Sequence, residues 1–202
     1  HIFESIKEHF TQYDLRFDRD GLHLQCMDVC KVAVFELFLS KEYFDKYESD
    51  YDIVISVDSE SFTKACHIIQ SDDKLIITNK DNDKLTFICQ SEKRNISLKI
   101  NQIMTDNEIL DCDTFTPTHY FKMDNKTFSQ HYTDLKHFES DNITFINNDN
   151  KEELSILGNS NDINIQIDCK NEHGAITFIR SNGVLNASYP LKYLAMINKL
   201  SP

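Results

Sequence analysis

The residues best equipped for chemistry are a cysteine and a histidine that stand side by side. Cys66 and His67 are the residue types that a thiol-dependent hydrolase uses as nucleophile and general base. Successive positions on a helix point about 100° apart, so two neighbours there cannot easily form such a pair. We therefore expect a buried cysteine beside an exposed histidine. A cysteine-dependent hydrolase remains as an alternative of a different functional class.

A second grouping could suggest a metal site. His23, Cys26 and Cys30 lie close in sequence, but strand alternation puts His23 and Cys26 on opposite faces. The acidic stretch 106–113 has the composition of a solvated linker. The chain has only four glycines and lacks a glycine-rich phosphate loop, a Gly-x-Ser-x-Gly elbow and a His-Glu-x-x-His motif. The sequence predicts neither an enzyme nor a bound metal or cofactor.

The overall composition is that of a folded, acidic protein. Of its 202 residues, 40% are hydrophobic and 27% are charged, which is enough apolar material for one or two domains. The formal net charge of -12 argues against a nucleic-acid binder for the chain as a whole, because such proteins usually show a basic patch. The distribution of the charge therefore matters more than its sum.

The cysteines and the N-terminal residues give information about the cellular compartment. The six cysteines are dispersed and form no Cys-x-x-Cys pair, which is typical of reduced core thiols. Four Asn-x-Ser/Thr sequons point weakly toward secretion, but asparagine is abundant and no signal peptide or membrane-spanning run is visible. The chain begins at His1 and not at Met, so we expect the true N-terminus to precede it.

The chain carries an internal repeat of about sixty residues. The segment 57–62 (Val-Asp-Ser-Glu-Ser-Phe) resembles the segment 123–128 (Met-Asp-Asn-Lys-Thr-Phe), and each opens a helix that an Ile-Thr strand follows. Looser copies begin near Phe3 and Leu191. The repeating unit is one helix plus several strands, used about four times, which predicts an α+β fold of duplicated half-domains.

The four helices are predicted at 1–10, 62–70, 128–138 and 190–199. The second shows an amphipathic stripe of Phe62, Ala65, Cys66 and Ile69. Asp58 and Asp124 lie just upstream of the second and third helices as N-cap candidates, and Pro190 suits the first position of the fourth.

The predicted helices differ in charge from the rest of the chain. Together they hold more lysines than acids, whereas the strands and loops are acidic. A few lysines on four helices can arise by chance. Alternatively, the helices line a surface meant for a polyanion while the outside is kept acidic.

The rest of the sequence consists of predicted strands, and one polar segment interrupts them. The segments 32–39, 51–57, 95–100, 163–168 and 175–179 alternate or run apolar, as strands do. Residues 101–118 are polar and acidic and are interpreted as a linker. The predicted domains are therefore 1–100 and 119–202.

One strand is unusual. Residues 21–28 read Gly-Leu-His-Leu-Gln-Cys-Met-Asp, and the Asp20-Gly21 pair signals a turn before the strand. One face is apolar, and Met27 is an apolar residue on the other face, which should be wet. This stretch resembles the strand that forms one wall of the partner-binding pocket in sliding clamps of the proliferating cell nuclear antigen (PCNA) family. The resemblance extends with few gaps from about Leu15 to Leu200.

The resemblance implies the DNA clamp fold. It has two similar domains, each of two helix-plus-strands units, with helices on the inner face and sheets outside. Three such chains close head-to-tail into a ring around duplex DNA. It also implies that terminal segments of the family lie outside these 202 residues, so that the second domain is truncated.

The resemblance also assigns DNA contacts. The positions that match basic channel residues of the family, or replace them, are Lys7, Lys64, His67, His137, Lys192 and Lys199. Gln130 and Thr133 stand where the family has arginines, so the implied DNA contact is weak, directed at phosphates and independent of base sequence.

A pocket for a partner peptide is implied on the strand that opened the resemblance. The family receives a peptide of the form Gln-x-x-aliphatic-x-x-aromatic-aromatic there. The matching positions are Met27, Lys31, Val32, Leu110 and Cys112. Lys31 stands where the family often has histidine and Cys112 where it has isoleucine, which leaves the peptide preference open.

Subunit contacts follow from the same resemblance. The strand with Ile96 and Leu98 would pair with the strand containing Ile165 and Ile167 of the next chain. Leu135 and Phe138 would pack beside this pairing.

The sequence thus predicts a non-catalytic DNA polymerase processivity clamp. Its partners would be double-stranded DNA, DNA polymerase and other replication and repair proteins, a clamp loader and two further copies of the chain, with no membrane. It would act in the nucleus or, for a viral protein, in a viral replication factory. The alternative is a clamp-fold relative, a checkpoint-clamp subunit or a viral accessory factor, that forms no homotrimeric ring.

Overall fold

The structure is a computed structural model that describes residues 2–80, 83–105, 110, 117–148, 153–170, 176–181 and 183–200. The chain divides into two compact units, His1–Asp111 and Cys112–Pro202. The finer domain bounds predicted from the sequence remain a prediction. Among the described residues no helix has the length and apolar character needed to cross a bilayer.

In its described residues the first unit has two helices and seven strands. In chain order they are α1 (Ile2–Ile6), β1 (Gln12–Phe17), β2 (Gly21–Met27), β3 (Val34–Ser40), β4 (Ile53–Asp58), α2 (Ser59–Ile68), β5 (Lys74–Thr78), β6 (Lys84–Gln90) and β7 (Asn95–Asn101), with a 3₁₀ turn at Lys41–Tyr43. Its strands form two antiparallel sheets in the orders β3-β2-β1-β4 and β5-β6-β7.

The second unit repeats this plan. Its elements are β8 (His119–Met123), α3 (Asn125–His137), β9 (Asn142–Asn148), β10 (Glu153–Asn159), β11 (Asn164–Lys170), β12 (Ile176–Ser181), β13 (Val184–Pro190) and α4 (Leu191–Leu200). The sheets have the orders β11-β10-β9-β13 and β12-β8 and are again antiparallel. The predicted mixture of helices and strands is confirmed.

The predicted N-caps are confirmed, whereas the predicted helix bounds differ from the structure, and α2 and α3 each begin three residues earlier than predicted. Asp58 and Asp124 each accept a hydrogen bond from a backbone amide three residues ahead. The first helix ends at Ile6, because the chain tightens there into a turn with a His9 N–H to Ile6 carbonyl bond of 3.0 Å. Pro190 is the last residue of β13, not the first of a helix.

Each unit has its own core. In the first, Phe62 of α2 packs edge-on against the rings of Phe3, Tyr13 and Phe87, with centroid distances of 4.8, 5.6 and 5.5 Å. In the second, the buried cluster is almost entirely aliphatic, consisting of Leu135, Ile143, Leu154, Ile156, Cys169, Leu191 and Leu194. In both units, one face of a helix packs on the apolar face of a sheet.

Candidate partner-binding and nucleic-acid surfaces

Strand β2 enters through a turn that requires glycine. Gly21 has φ +154°, and a Cβ at this position would lie 2.2 Å from the carbonyl oxygen of Leu39 on the paired strand β3. Beyond the turn, the predicted alternation holds for the apolar face, because Leu22, Leu24 and Cys26 are buried. The glycine therefore sets where this strand starts.

The opposite face of β2 is not wholly wet, contrary to the expectation from alternation. Gln25 is only 8% exposed, because its side chain pairs with the backbone of Leu110. The Gln25 Nε2 donates to the Leu110 carbonyl and the Leu110 N–H donates to Gln25 Oε1, both at 2.8 Å. Nε2 also donates to Glu36 Oε1 at 2.7 Å, which orients the amide. The side chain thereby holds Leu110 against Gln25, which lies two residues before Met27 on β2.

A tight loop follows Met27. Asp28 is buried, and its Oδ1 accepts hydrogen bonds of 2.7 Å from the amides of Val32 and Ala33. Lys31 takes the left-handed conformation, with φ 56°, and donates its N–H to the Asp28 carbonyl at 2.9 Å. The strand predicted from residue 32 therefore begins only at Val34, and Val32 lies exposed in the loop.

The predicted peptide-binding residues are thus partly gathered. Met27 is half-buried at the end of β2, the loop presents Lys31 and Val32, and Leu110 is 39% exposed. Cys112 lies outside the described residues. Gln25 and Asp28 were not predicted as site residues, although two polar side chains flanking an apolar Met27 were the available signal. Together these residues form a partly apolar surface on the first unit.

The residues of the first unit that were predicted to contact nucleic acid are each paired with a carboxylate. Glu4 accepts from Lys7 through Oε1 at 2.5 Å and from His67 through Oε2 at 2.7 Å. Hydrogen bonds from Lys7 and then His67 lower the pKa of Glu4. Lys64 Nζ lies 2.7 Å from Glu60 Oε1 one turn earlier on α2, and this hydrogen bond raises the pKa of Lys64. These basic side chains are therefore already paired with carboxylates of the chain itself.

The predicted contacts of the second unit are also on helices. His137 is the last residue of α3 and is exposed. Lys192, in the first turn of α4, places its Nζ 4.8 Å from the centre of the Tyr193 ring. Lys199 is exposed in the last turn of the same helix.

The cysteine–histidine geometry does not favour a nucleophile. Cys66 is partly buried and burial raises the pKa of its thiol to about 11, while His67 turns to Glu4. A second pair joins Cys169 Sγ and His131 Nε2 at 3.5 Å, with the pKa of the thiol raised to about 11 and that of the imidazole lowered, both by burial. An active thiolate needs the opposite shifts. Within the described ranges no three His, Cys, Asp or Glu side chains converge as a metal site would require.

The predicted subunit contacts lie on two sheet edges. Strands β7 and β11 are each the last strand of their sheet as described. Ile96 and Leu98 on β7, and Ile165 and Ile167 on β11, are half-buried and alternate with exposed polar residues.

Two further residues were predicted beside these edges. Phe138, the C-cap of α3, is half-buried and can offer surface to a neighbour. Leu135 cannot, because it is 0% exposed inside the core of the second unit. Its predicted place in a subunit contact is therefore corrected to a core position.

A groove of about 630 Å³ lies between α2 and β7 of the first unit. Its walls are one side of α2, the edge strand and the residues that follow it, including Lys64, Ala65, Leu98 and Met104. Met104 is 98% exposed. The groove is open to solvent along the edge of the sheet.

The family model of the proliferating cell nuclear antigen N-terminal domain matches residues 1–113. The chain belongs to the PCNA family. The family predicted from the sequence is thereby confirmed. Members of this family are clamps that bind DNA and partner proteins and are not enzymes.

Individual relatives of this PCNA-family chain are distant. It is 26% identical to the proliferating cell nuclear antigen of Dictyostelium discoideum over 100% of the chain and 81% of that protein. It is 22% identical to DNA polymerase sliding clamp 3 of Sulfurisphaera tokodaii over 99% of the chain and 80% of that protein. The proliferating cell nuclear antigen 2 of Drosophila melanogaster is 23% identical over 68% of the chain and 55% of its own length.

A solved clamp structure has the same architecture. A chain of the PCNA2–PCNA3 complex from Sulfolobus tokodaii matches with a TM-score of 0.79 at 20% identity, over 98% of this chain and 79% of that one. At this identity the likeness establishes the fold alone. The predicted DNA clamp fold is confirmed.

Proposed function

We propose that this PCNA-family chain is a subunit of a DNA sliding clamp. It encircles duplex DNA and tethers DNA polymerase and other replication and repair proteins, and it performs no catalysis itself. The observation that carries the proposal is the pair of sheet edges β7 and β11, one in each unit, each with an apolar row on one face. Two different edges on one chain allow a head-to-tail contact, which closes into a ring.

The ring forms when β7 of one chain pairs with β11 of the next. Apolar rows must fall on the same face of a continuous sheet, which aligns Ile96 and Leu98 with Ile165 and Ile167 of the neighbour. The pairing removes two exposed edges per contact, which otherwise invite uncontrolled association. The groove beside β7 receives Phe138 of the neighbouring chain, since its apolar wall continues the same face. Three copies complete the ring.

The decisive experiment is the solution mass of the full-length protein by light scattering across concentration. We expect a trimer, and we expect Ile96→Lys to shift the mass to that of a monomer, because it places a charge in the joint. Leu75→Lys is the matched control, since Leu75 is an exposed apolar residue on β5, the other edge strand of the same sheet. A monomeric wild-type protein at micromolar concentration would sink the homotrimer.

The DNA surface of the ring consists of the predicted helix residues. Lys7, Lys64 and His67 contribute from the first unit, and His137, Lys192 and Lys199 from the second. Their contacts are to phosphates, independent of base sequence and screened by salt. Because the first-unit cations are matched by carboxylates, DNA is held by the closed ring more than by affinity. A clamp loader would then be needed to open it.

The partner peptide docks on the surface formed by Met27, Lys31, Val32 and Leu110. Its apolar anchors cover the exposed Val32 of the loop, and the Gln25 amide keeps Leu110 in place. We expect Gln25→Glu to weaken binding of a Gln-x-x-aliphatic-x-x-aromatic-aromatic peptide about tenfold, because it removes two donated hydrogen bonds beside Glu36. Gln90→Glu makes the same charge change at an exposed site and serves as control. Equal affinities in both variants would remove Gln25 from the site.

A second reading is favoured by one specific observation. A solved relative is a complex of two different clamp chains, PCNA2 and PCNA3. Under this reading the chain closes a ring only with other subunits, as a checkpoint-clamp subunit or a viral accessory factor would. A monomer that gains mass only when a second clamp chain is added would distinguish this alternative.

For both alternatives, we place the protein in the nucleus or in a viral replication factory.

A further inference from the structure

We propose that Lys7 and His67 form one binding site for a single phosphodiester of the DNA backbone, and that Glu4 occupies this site until DNA displaces it. The proposal rests on the DNA-binding role proposed above and adds a site and a competitor to it. A carboxylate of the chain itself would then set how tightly the first unit holds DNA.

The geometry brings two donors to one anion. Glu4 lies on α1, Lys7 directly follows α1, and His67 is in the last turn of α2. Lys7 Nζ is 2.5 Å from Glu4 Oε1, and His67 Nε2 is 2.7 Å from Glu4 Oε2. Two segments separated by about sixty residues therefore point cationic or donor groups at the two oxygens of one carboxylate.

A phosphodiester matches this arrangement. It carries one negative charge and presents two equivalent oxygens on one centre, as a carboxylate does. Lysine contacts phosphate as a point charge, and an imidazole N–H donates to the second oxygen. A backbone phosphate in place of the Glu4 carboxylate therefore keeps both donors satisfied, with one negative charge between them.

The occupant can be displaced easily. The side chains of Glu4 and His67 are 41% and 62% exposed, so both ion pairs are in contact with water. Exposed ion pairs of this kind contribute little to stability and weaken with salt. Hydrogen bonds from Lys7 and His67 lower the pKa of Glu4, so the competing carboxylate stays ionised at neutral pH.

The neighbouring pair on α2 offers an internal comparison. Lys64 and Glu60 are one turn apart and form a single contact of 2.7 Å, with both side chains about 70% exposed. Here one donor meets one carboxylate oxygen, so no two-donor site exists. Replacing Glu60 should therefore free Lys64 alone, whereas replacing Glu4 should free Lys7 and His67 together for one phosphate.

The test is binding of a fluorescent 30-base-pair duplex by the full-length protein, followed by anisotropy across a salt series. We expect Glu4→Gln to bind about two- to fivefold more tightly than the wild type at low salt, the range set by the strength of exposed ion pairs. Its plot of log affinity against log salt should steepen by about one, as for one more neutralised phosphate. Glu60→Gln should gain less.

The matched control is Glu48→Gln. Glu48 pairs with Lys46 at 2.9 Å, both side chains are about three-quarters exposed, and neither lies on a helix. This variant makes the same change in net charge, so it reports any general effect of a less acidic protein. In addition, Lys7→Gln or His67→Gln placed in the Glu4→Gln background should abolish the gain.

Each outcome has one meaning. If the wild type binds duplex and Glu4→Gln gains no more than Glu48→Gln, the phosphate site is wrong and the clamp function stands. A gain that survives His67→Gln would reduce the site to Lys7 alone and overturn it as proposed. If neither the wild type nor Glu4→Gln binds duplex at any salt or stays on circular DNA, the DNA-binding function itself fails, and the site with it.

Discussion

Helices α2 and α3 hold equivalent places in the two units, and they begin in the same way. Asp58 caps α2 by accepting from the Ser61 amide at 2.8 Å, and Asp124 caps α3 by accepting from the Thr127 amide at 2.9 Å. Both helices follow a strand and precede a hairpin of the same sheet type. The starts of these two helices are therefore encoded by the same local hydrogen bond.

What the two helices bury is different. Phe62 of α2 enters a cluster of aromatic rings, whereas Leu135 of α3 enters a cluster of aliphatic side chains. Phe128, which matches Phe62 in the repeat, is only half-buried. The two units therefore share the caps and the alternation of apolar positions, while each core is filled by side chains of different shape.

The largest effect should come from emptying the aromatic core. We expect Phe62→Ala to destabilise the protein by about 3–5 kcal/mol, because it leaves a cavity between three rings. Phe128→Ala should cost clearly less, since that side chain is only partly removed from water. Denaturation followed by circular dichroism gives the total, and hydrogen exchange over residues 59–68 and 125–137 assigns it to a unit. Equal losses at the two positions would contradict the comparison.

The next effect tests the close packing of the second core. A Cβ at Gly158 would lie 2.5 Å from both Leu135 Cδ2 and Ser140 Oγ. We expect Gly158→Ala to destabilise by about 1–3 kcal/mol through overpacking. In the double variant with Leu135→Ala, the losses should add to less than their sum, because the clashing methyl group is gone. Strict additivity would mean that the strand moves instead.

The caps should have a smaller effect. We expect Asp58→Ala to cost about 1 kcal/mol and Asp58→Asn to restore most of it, because asparagine also accepts the amide hydrogen bond. Asp124→Ala should act in the same direction on α3. Hydrogen exchange of each helix start is the measurement, and an unchanged α3 would show that the two starts are not equivalent.

Acid should affect the cap of α3. Hydrogen bonds from Thr127 lower the pKa of Asp124 below its ordinary value of 3.8. A lowered folded-state pKa stabilises above the unfolded value, and the contribution is lost as pH falls through the folded pKa. We therefore expect the difference in exchange between wild type and Asp124→Ala to be constant at neutral pH and to shrink below about pH 4. A constant difference down to pH 2 would contradict this.

The last prediction concerns the reactivity of the thiols and involves no change in stability. Burial raises the pKa of Cys26 to about 12 and those of Cys66 and Cys169 to about 11, whereas Cys30 is exposed. At pH 8 we expect iodoacetamide to label Cys30 well before these three, because only the thiolate reacts. Peptide mass spectrometry follows each site, and a fast Cys66 would revive the hydrolase alternative.

Much of the fold could be predicted because its signals are local. Helix caps, amphipathic stripes and strand alternation depend on residues within a few positions of one another, and so does the turn at Gly21. The exceptions depend on contacts between residues that are far apart in the sequence. Alternation placed Gln25 on the wet face, and no local pattern revealed that Leu110 covers it, because the two are 85 positions apart. Leu135 was likewise assigned to a contact surface that its full burial excludes.

The repeat, the class of the fold, the family and the identities of the basic residues could be predicted from the amino-acid sequence. The contacts of those basic residues became visible only in the folded chain. Glu4 and His67 are 63 positions apart, yet one carboxylate joins His67 to Lys7. Periodicity fixes the face on which a side chain lies, because backbone geometry repeats. Its partner depends on how distant segments pack, and so on the free energy of the whole fold.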